Sequence, residues 1–241
     1  EDDIADYPVL VFLTSEGYFK KITPQSLRMS GEQKLKEGDS ICQSAESTNK
    51  SEVIFLTDKA QAYKCRLHEF DDGKASLLGD YLPQKLQMSE GEHVRFLVLP
   101  GNYQGYLLYV YENGKAAKIP VKSFDTKSNR RRLTGAYCDR SPLVAAIHLE
   151  EEGEVAIYST DGRMLLLNTA MVAPKATRSS QGVAVMALKK NKVVKQVLPK
   201  AQAGIVNESR YRTRTLPAAG ALLRAEDAQE KQLTLEDTES R

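Results

Sequence analysis

Hydrophobic and polar positions alternate along this chain in four short blocks that share one layout. A run of apolar or β-branched residues leads into a tight turn, and a second run follows that contains basic residues. The copies are VLVFLTSEGYFKKI at 9–22, EVIFLTDKAQAYKC at 52–65, YLLYVYENGKAAKI at 106–119 and EVAIYSTDGRMLLL at 154–167. Two such runs joined by a short turn indicate a β-hairpin, so the pattern predicts four hairpins.

The turn residues of the four copies are Gly17, Ala60, Gly114 and Gly162. Two of the turns contain Asn-Gly and Asp-Gly, which favour type I′ turns because positive φ angles cost these residues little. The sequence therefore predicts type I′ turns at Gly114 and Gly162 and another geometry at Ala60.

A second motif places a glycine between two acidic residues just before an apolar strand. EGDSI (37–41) and EGEHV (90–94) carry it, EGEVA (152–156) is a weaker copy, and KNKVV (190–194) occupies the place of a fourth. Because these carboxylates recur at turn positions, we interpret them as turn residues rather than as catalytic pairs.

The turn residues recur at intervals of 43, 54 and 48 residues. Units of about 40–50 residues with four strands are typical of propeller blades. The predicted fold class is all-β, a propeller-like disc of about four hairpin-based blades, either open or closed by the C-terminal segment. Residues 207–224 lack a hairpin pattern, and we expect them to add closing strands.

The composition is that of a folded domain, and the charged residues are distributed unevenly along the chain. Hydrophobic residues make up 41% and charged residues 27% of the 241 residues, which is ordinary for a globular protein. Residues 7–224 carry a net charge of +10, whereas residues 225–241 hold six acidic and two basic residues. We therefore predict a folded basic domain at 1–224 and an acidic, disordered tail at 225–241.

Several classes of protein are disfavoured. No apolar run approaches the ~18 residues of a membrane helix, and no secretory signal is visible. The three cysteines (Cys42, Cys65, Cys138) and three histidines share no metal-ligand spacing, so no metal or cofactor is expected. No nucleophile–base pair or phosphate loop is present. The chain does not begin with Met, so we expect it to be part of a longer protein.

The order and spacing of many short motifs resemble the C-terminal domain of bacterial type IIA topoisomerase A subunits, those of gyrase and topoisomerase IV. The motifs run from FLTDKAQAYKCRLHEF (55–70) through EGEHVRFLVLP (90–100) and KIPVKSF (118–124) to TRSSQGVAVMALKKNKVV (177–194). The resemblance implies a β-pinwheel, a propeller-like disc whose blades exchange strands and whose rim binds duplex DNA.

The resemblance also implies roles that lie outside this chain. It implies an ATP-dependent topoisomerase as the full-length enzyme, with its catalytic tyrosine and magnesium site elsewhere. The implied partners are duplex DNA, the ATPase B subunit and a second A subunit, with no membrane. The implied location is the bacterial cytoplasm, in association with the nucleoid.

One departure from the family pattern concerns a basic box. Gyrase A subunits carry Q-R-R-G-G-K-G after the first hairpin, whereas this chain has SLRMSGEQKLKEGD at 26–39 and a partial echo, SNRRRLTG, at 128–135. The absence of the box favours a topoisomerase IV-like domain that bends DNA without a chiral wrap. The alternatives are a gyrase A domain with a degenerate box and a propeller-like protein-interaction module.

Lysine and arginine on a rim can displace the counterions of duplex DNA, because its phosphates are spaced at one charge per ~1.7 Å of axis. Gly135 and Gly182 are expected to let backbone N–H groups approach phosphate, and Tyr211 is the one candidate for stacking on bases. The candidate DNA-binding residues are Lys20, Lys21, Lys34, Lys36, Lys64, Arg66, Lys74, Lys115, Lys118, Arg130, Arg131, Arg132, Arg163, Lys175 and Arg178.

Overall fold

All four predicted hairpins are present in the computed structural model, which describes residues 3–126 and 131–228. The strands in this part of the chain are β1 (Pro8–Thr14), β2 (Tyr18–Ile22), β3 (Ile41–Thr48), β4 (Glu52–Thr57), β5 (Ala62–Arg66), β6 (Asp80–Tyr81), β7 (Val94–Val98), β8 (Tyr106–Tyr111), β9 (Lys115–Pro120), β10 (Arg132–Leu133), β11 (Leu143–Leu149), β12 (Glu154–Ser159), β13 (Arg163–Asn168), β14 (Val183–Ala184), β15 (Val194–Pro199) and β16 (Ala221–Leu222).

The helices in the described part of the chain are short. The α-helices are α1 (Pro24–Arg28), α2 (Leu82–Lys85) and α3 (Lys200–Ala203). The 3-10 helices are Leu67–Glu69, Val121–Phe124, Thr169–Met171, Glu208–Arg210 and Ala225–Ala228. Among the described helices, none is long and apolar enough to cross a membrane.

The strands form four antiparallel four-stranded sheets, and one predicted hairpin forms the centre of each. Their orders are β3-β1-β2-β6, β7-β4-β5-β10, β11-β8-β9-β14 and β15-β12-β13-β16, here called the first to fourth sheets. The chain divides into two compact units: residues 1–104 with 124–137 contain the first two sheets, and residues 105–123 with 138–241 contain the other two. The prediction of an all-β fold with four hairpin-based blades is confirmed.

Each sheet receives its fourth strand from later in the chain. The two-residue strand β6 follows the second hairpin yet pairs with β2 of the first, and β10 follows the third hairpin yet pairs with β5 of the second. Likewise β14 pairs with β9, and β16 pairs with β13. We call the described residues that lead into these strands the exchange segments: residues 71–81, 131–133, 173–184 and 207–222.

Glycine precedes three of the four exchanged strands for a steric reason. Gly79, Gly182 and Gly220 have φ angles of +93°, +75° and +71°. A Cβ atom at Gly182 would lie 2.0 Å from the Ala116 carbonyl oxygen, and one at Gly79 would lie 2.4 Å from that of Phe19. A side chain at these positions would therefore push the exchanged strand away from its hairpin.

The hairpin turns differ from the predicted type I′ geometry. Asn113 and Asp161 are not among the residues with positive φ, whereas Gly114 and Gly162 have φ angles of +83° and +78°. The Gly114 and Gly162 N–H groups donate to the carbonyls three residues earlier, at 3.0 and 3.2 Å. This pattern fits a turn followed by one left-handed residue, the usual three-residue hairpin loop. Ala60, at φ +53°, adopts the same left-handed conformation as the glycines.

Each unit has its own apolar core between its two sheets. In the first unit, Phe19 of β2, Phe55 of β4 and Phe70 meet edge to face with ring centroids 4.8–6.1 Å apart. In the second unit, Leu108 and Val110 of β8 pack with Val155 and Ile157 of β12 in one cluster. Because consecutive hairpin residues are buried, the hairpins appear in the sequence as continuous apolar runs.

The C-terminal segment completes the fourth sheet. Tyr211 is buried, and its carbonyl accepts from Leu166 N–H at 2.9 Å. The buried Asp227 carboxylate accepts from the Tyr211 hydroxyl, and from Asn207 Nδ2 at 2.7 Å. The first four residues of the predicted tail, 225–228, are thus part of the folded structure, while residues 229–241 lie outside the described residues.

Candidate nucleic-acid interface

Each exchange segment is held against the second strand of its hairpin and carries basic residues. The backbone of each segment forms a hydrogen bond with the backbone of the fourth residue after the hairpin turn residue. In the four repeats, this residue is Lys21, Lys64, Lys118 and Leu166. The bonds are Gly73 N to Lys21 O (2.7 Å), Lys64 N to Arg131 O (2.8 Å), Lys175 N to Lys118 O (2.8 Å) and Leu166 N to Tyr211 O (2.9 Å). Each segment therefore places its basic residues at the same point of a repeat.

Exposure differs among these basic residues. Lys74 and Lys175 are exposed and form no side-chain hydrogen bond or ion pair with any described residue. Arg178 is half-buried, and its Nη1 donates to the Ser123 carbonyl at 2.8 Å. Arg212, which was not among the sequence candidates, is tied to Glu154 at 2.7 Å and to Glu208 at 2.5 Å.

Three of the predicted DNA-binding lysines are buried instead of exposed. Lys20, Lys21 and Lys118 are 2%, 3% and 3% exposed. Lys21 Nζ bonds to Asn49 Oδ1 at 2.6 Å and the Leu67 carbonyl at 3.1 Å, and it pairs with Asp72 at 3.2 Å. An ammonium enclosed in this way cannot reach a phosphate, so the structure removes these residues from the candidate surface.

Lys118 repeats the arrangement of Lys21 in the second unit. Its Nζ bonds to the Thr169 carbonyl at 3.1 Å and to Glu152 Oε1 at 2.5 Å. Leu67 and Thr169 occupy equivalent places, seven residues after the next hairpin turn. Burial alone would raise the pKa of Glu152, but hydrogen bonds from Lys118 and Thr169 outweigh it and hold that pKa below its ordinary value. These two lysines therefore join one repeat to the next.

The arginine run is partly engaged. Arg130 lies outside the described residues. Arg131 Nη1 lies 3.0 Å from Glu69 Oε2 and 3.0 Å from the Cys65 sulfur. Glu69 is 62 residues before Arg131 in the chain, and the two meet because β10 pairs with β5. Arg132 is exposed, and its positive charge opposes the rise of the pKa of the nearby Tyr63 hydroxyl.

Cys65 and Tyr63, which meet these arginines, are inert at neutral pH. Burial raises the pKa of the Cys65 thiol to about 11 in spite of the neighbouring Arg131. Burial and the Glu92 carboxylate raise the pKa of Tyr63, with Arg132 opposing them. Neither side chain has the activated character that a nucleophile needs.

The remaining candidates of the first unit lie at its surface. Lys34 and Lys36 are exposed, and Lys36 Nζ lies 5.8 Å from the centre of the Tyr18 ring. Lys64 is half-buried, 5.5 Å from the centre of the Tyr103 ring. Arg66 is exposed, and its side chain forms no hydrogen bond or ion pair with any described residue.

In the second unit, two candidates flank hairpin turns. Lys115 Nζ bonds to Gln181 Oε1 at 3.3 Å and shares a small depression with Arg140, a cation that sequence analysis missed. Arg163 is half-buried between Asp161, at 3.5 Å, and the Gly220 carbonyl, at 3.4 Å. No repeated motif marks Arg140 in the sequence, because the loop before β11 differs from the loops that precede β3, β7 and β15.

Two further sequence expectations change. Tyr211 is 1% exposed, so it cannot stack on a base. Gly182 faces the Ala116 carbonyl at the exchanged strand, so its role is steric fit rather than approach to phosphate. Gly135 has open space around it, and its expected role stays a prediction. Among the described residues, no group of three or more His, Cys, Asp or Glu side chains could hold a metal ion.

The chain is similar in sequence to the A subunits of DNA topoisomerase 4. The protein from Staphylococcus aureus is 24% identical over 177 residues, which are 71% of this chain and 22% of the relative. That of strain MRSA252 is 25% identical over the same length. The chain thus spans about a fifth of the length of these relatives. No family model matches the chain.

Solved structures share the fold. The C-terminal domain of DNA topoisomerase IV superposes with a TM-score of 0.74 at 20% identity, covering 93% of this chain and 76% of that one. The E. coli ParC C-terminal domain gives 0.65 at 14%, covering 90% and 94%. The DNA gyrase A C-terminal domain gives 0.63 at 18%, covering 89% and 76%. The resemblance seen in the sequence is confirmed, and the fold is that of these domains.

Proposed function

We propose that this chain is a non-catalytic DNA-binding and DNA-bending domain of a type IIA topoisomerase A subunit, nearer to topoisomerase IV than to gyrase. The observation that carries the proposal is the set of docked exchange segments, each with basic residues, in a fold shared with topoisomerase C-terminal domains. In the full-length protein the domain presents duplex DNA to the cleavage core. That enzyme is ATP-dependent and includes the ATPase B subunit together with a second A subunit.

The chemistry of binding is electrostatic. Each exposed lysine or arginine that meets a phosphate releases condensed counterions, which favours association without reading base sequence. The residues proposed for this role are the surface members of the sequence set, together with Arg130, which lies outside the described residues: Lys34, Lys36, Lys64, Arg66, Lys74, Lys115, Arg130, Arg131, Arg132, Arg163, Lys175 and Arg178. Within each unit these residues recur from repeat to repeat, so a DNA strand that runs along the protein can contact each repeat through its phosphates.

Bending follows from contacts made at successive repeats. Bending a 20–30 base-pair site by 40–90° costs on the order of 1–6 kcal/mol, and additional phosphate contacts offset that cost. A surface that rewards curvature selects deformable DNA rather than a base sequence. The absence of the gyrase box is the reason for proposing bending without a trapped chiral wrap.

Salt dependence of duplex binding tests the proposal. We expect log K to fall steeply with log salt, and Lys175→Gln to flatten the slope by about 0.9 for the lost phosphate contact. Lys195→Gln, an exposed lysine on β15 outside the exchange segments, serves as the matched control and should leave the slope nearly unchanged. A chain that fails to bind duplex DNA at low salt would favour a protein-interaction module.

A plasmid relaxed by a nicking-and-sealing enzyme in the presence of the chain separates the two topoisomerase types. We expect the linking number to stay nearly constant. A concentration-dependent shift toward positive supercoils would support the gyrase alternative instead.

A further inference from the structure

A polar surface groove lies in the first unit between α1 and the first exchange segment. Its volume is about 430 Å³, within the range of about 300–1,000 Å³ that ligand sites occupy. Its lining contains no carboxylate and consists of Thr23, Gln25, Ser26, Met29, Ser30, Lys74 and Ser76.

The groove presents unused hydrogen-bond donors. The side chains of Ser26, Ser76 and Lys74 form no hydrogen bond or ion pair with any described residue. Thr23 Oγ1 only accepts, from Ser26 N at 3.3 Å, so its proton is available. Ser30 differs, because its hydroxyl already donates to the Ser26 carbonyl at 2.7 Å. Three hydroxyls and one ammonium are therefore available to an acceptor-rich ligand.

A buried positive charge is bonded to the backbone of one wall of the same groove. Lys20 is 2% exposed, and its Nζ bonds to the Lys34 carbonyl at 2.8 Å and the Ala75 carbonyl at 3.3 Å. Ala75 stands between the two groove residues Lys74 and Ser76. Among the described acidic residues, none pairs with Lys20, and burial lowers the pKa of its ammonium. A buried charge without a counter-ion is costly, so an anion in the groove would offset part of that cost.

The lysine is specific to this repeat. The equivalent positions, three residues after the other hairpin turns, are Tyr63, Ala117 and Leu165. Lys20 therefore has a different role from Lys21 and Lys118, which bond one repeat to the next. Lys20 belongs to the repeat whose exchange segment lines the groove.

We infer that this groove binds one backbone phosphate of a nucleic acid strand, with Lys74 and the hydroxyls of Ser26, Ser76 and Thr23 as donors and with Lys20, bonded to the Ala75 carbonyl, as a buried charge next to them. The inference rests on the proposed function and assigns a particular phosphate contact to it. A phosphodiester fits because it offers only acceptors and one negative charge, and because flanking sugars can occupy the remaining volume. Lys20 acts without touching the ligand, by raising the local potential.

The test compares a groove variant with a matched surface variant. Lys74→Gln with Ser26→Ala and Ser76→Ala should weaken duplex binding about 5- to 10-fold at low salt and flatten the salt slope by about 0.9. The control, Lys59→Gln with Ser44→Ala, changes one exposed lysine and one exposed serine of the same unit and should match the wild type. Lys20→Met, checked for folding by urea unfolding, should weaken binding in the same direction.

The outcomes are distinguishable. If the wild-type chain binds duplex DNA and the groove and control variants bind it equally well, this inference is overturned and the proposed function still stands. Wild-type chain that fails to bind duplex at low salt would overturn both. Inorganic phosphate provides a further arm, monitored by backbone amide shifts: shifts confined to the groove, with DNA affinity unaffected by the groove variant, would assign the site to a small phosphate and reject the nucleic acid.

Discussion

At the residue scale, lysines of similar appearance in the sequence have opposite roles. Lys118 is enclosed by Glu152 and the Thr169 carbonyl, whereas Lys175, whose backbone bonds to Lys118, is exposed. A one-dimensional pattern cannot separate them, because both follow small apolar residues. The partners that enclose Lys118 lie more than 30 residues further along the chain.

We expect Lys118→Met to lower the free energy of unfolding by about 2 kcal/mol, because it leaves the buried Thr169 carbonyl and the Glu152 carboxylate without their donor. The salt slope of DNA binding should stay unchanged in this variant. Lys175→Gln should do the reverse, flattening the slope while leaving stability within about 0.5 kcal/mol of wild type. Urea unfolding and salt titrations of both variants measure this; equal loss of stability in the two would contradict the distinction.

At the element scale, the hairpins were predictable and the exchanged strands were not. Long apolar runs around a turn residue carry enough signal to place β1–β2 or β8–β9. A two-residue strand such as β14 carries no periodicity, and its pairing with β9 depends on a segment more than 60 residues away. The available signal was the glycine before β6, β14 and β16, which the steric contact with a hairpin carbonyl explains.

The predicted type I′ turns were wrong for a related reason. The Asn-Gly and Asp-Gly dipeptides do mark the turns, but only the glycine takes the left-handed conformation. The dipeptide identifies where the chain reverses, while the length of the loop decides which residue needs positive φ. Ala60 confirms this, since it occupies the same place without glycine.

Replacing Gly182 with alanine tests the steric role of the exchange glycines. Gly182 and Gly91 have nearly the same φ, +75° and +76°, but a Cβ at Gly182 would lie 2.0 Å from a carbonyl oxygen and one at Gly91 would meet nothing within 4 Å. Gly91→Ala should therefore cost only the left-handed strain, about 1–2 kcal/mol. Gly182→Ala should cost clearly more and speed amide exchange in β14. Equal costs in urea unfolding would show that the carbonyl contact is unimportant.

At the scale of the whole molecule, the charge asymmetry visible in the sequence has a structural boundary. The basic residues belong to two units built on the same plan, and the acidic tail begins beyond Ala228 rather than at residue 225. Asp227 marks this boundary, because it is buried and accepts hydrogen bonds from Tyr211 and Asn207. These hydrogen bonds hold the pKa of its carboxyl group below the ordinary value. A truncation at residue 224 would damage the fourth sheet and confuse loss of charge with loss of structure.

Truncation after Ala228 should tighten DNA binding at low salt. It removes Glu230, Glu236, Asp237 and Glu239 together with Lys231 and Arg241, and it leaves Asp227 in place. A tethered polyanion competes with DNA at an effective concentration that reaches the millimolar range for short flexible links. The competition should fade as the Debye length shrinks to about 8 Å at physiological salt.

The measurement is a pair of binding curves, full-length and truncated, at two salt concentrations. Converting the four acidic residues to their amides in the full-length chain should reproduce the truncation, because charge and not chain length drives the competition. A gain seen with truncation but not with the amides would point to steric hindrance by the tail. Equal affinities of all three chains at low salt would reject competition and leave the tail without a role in DNA binding.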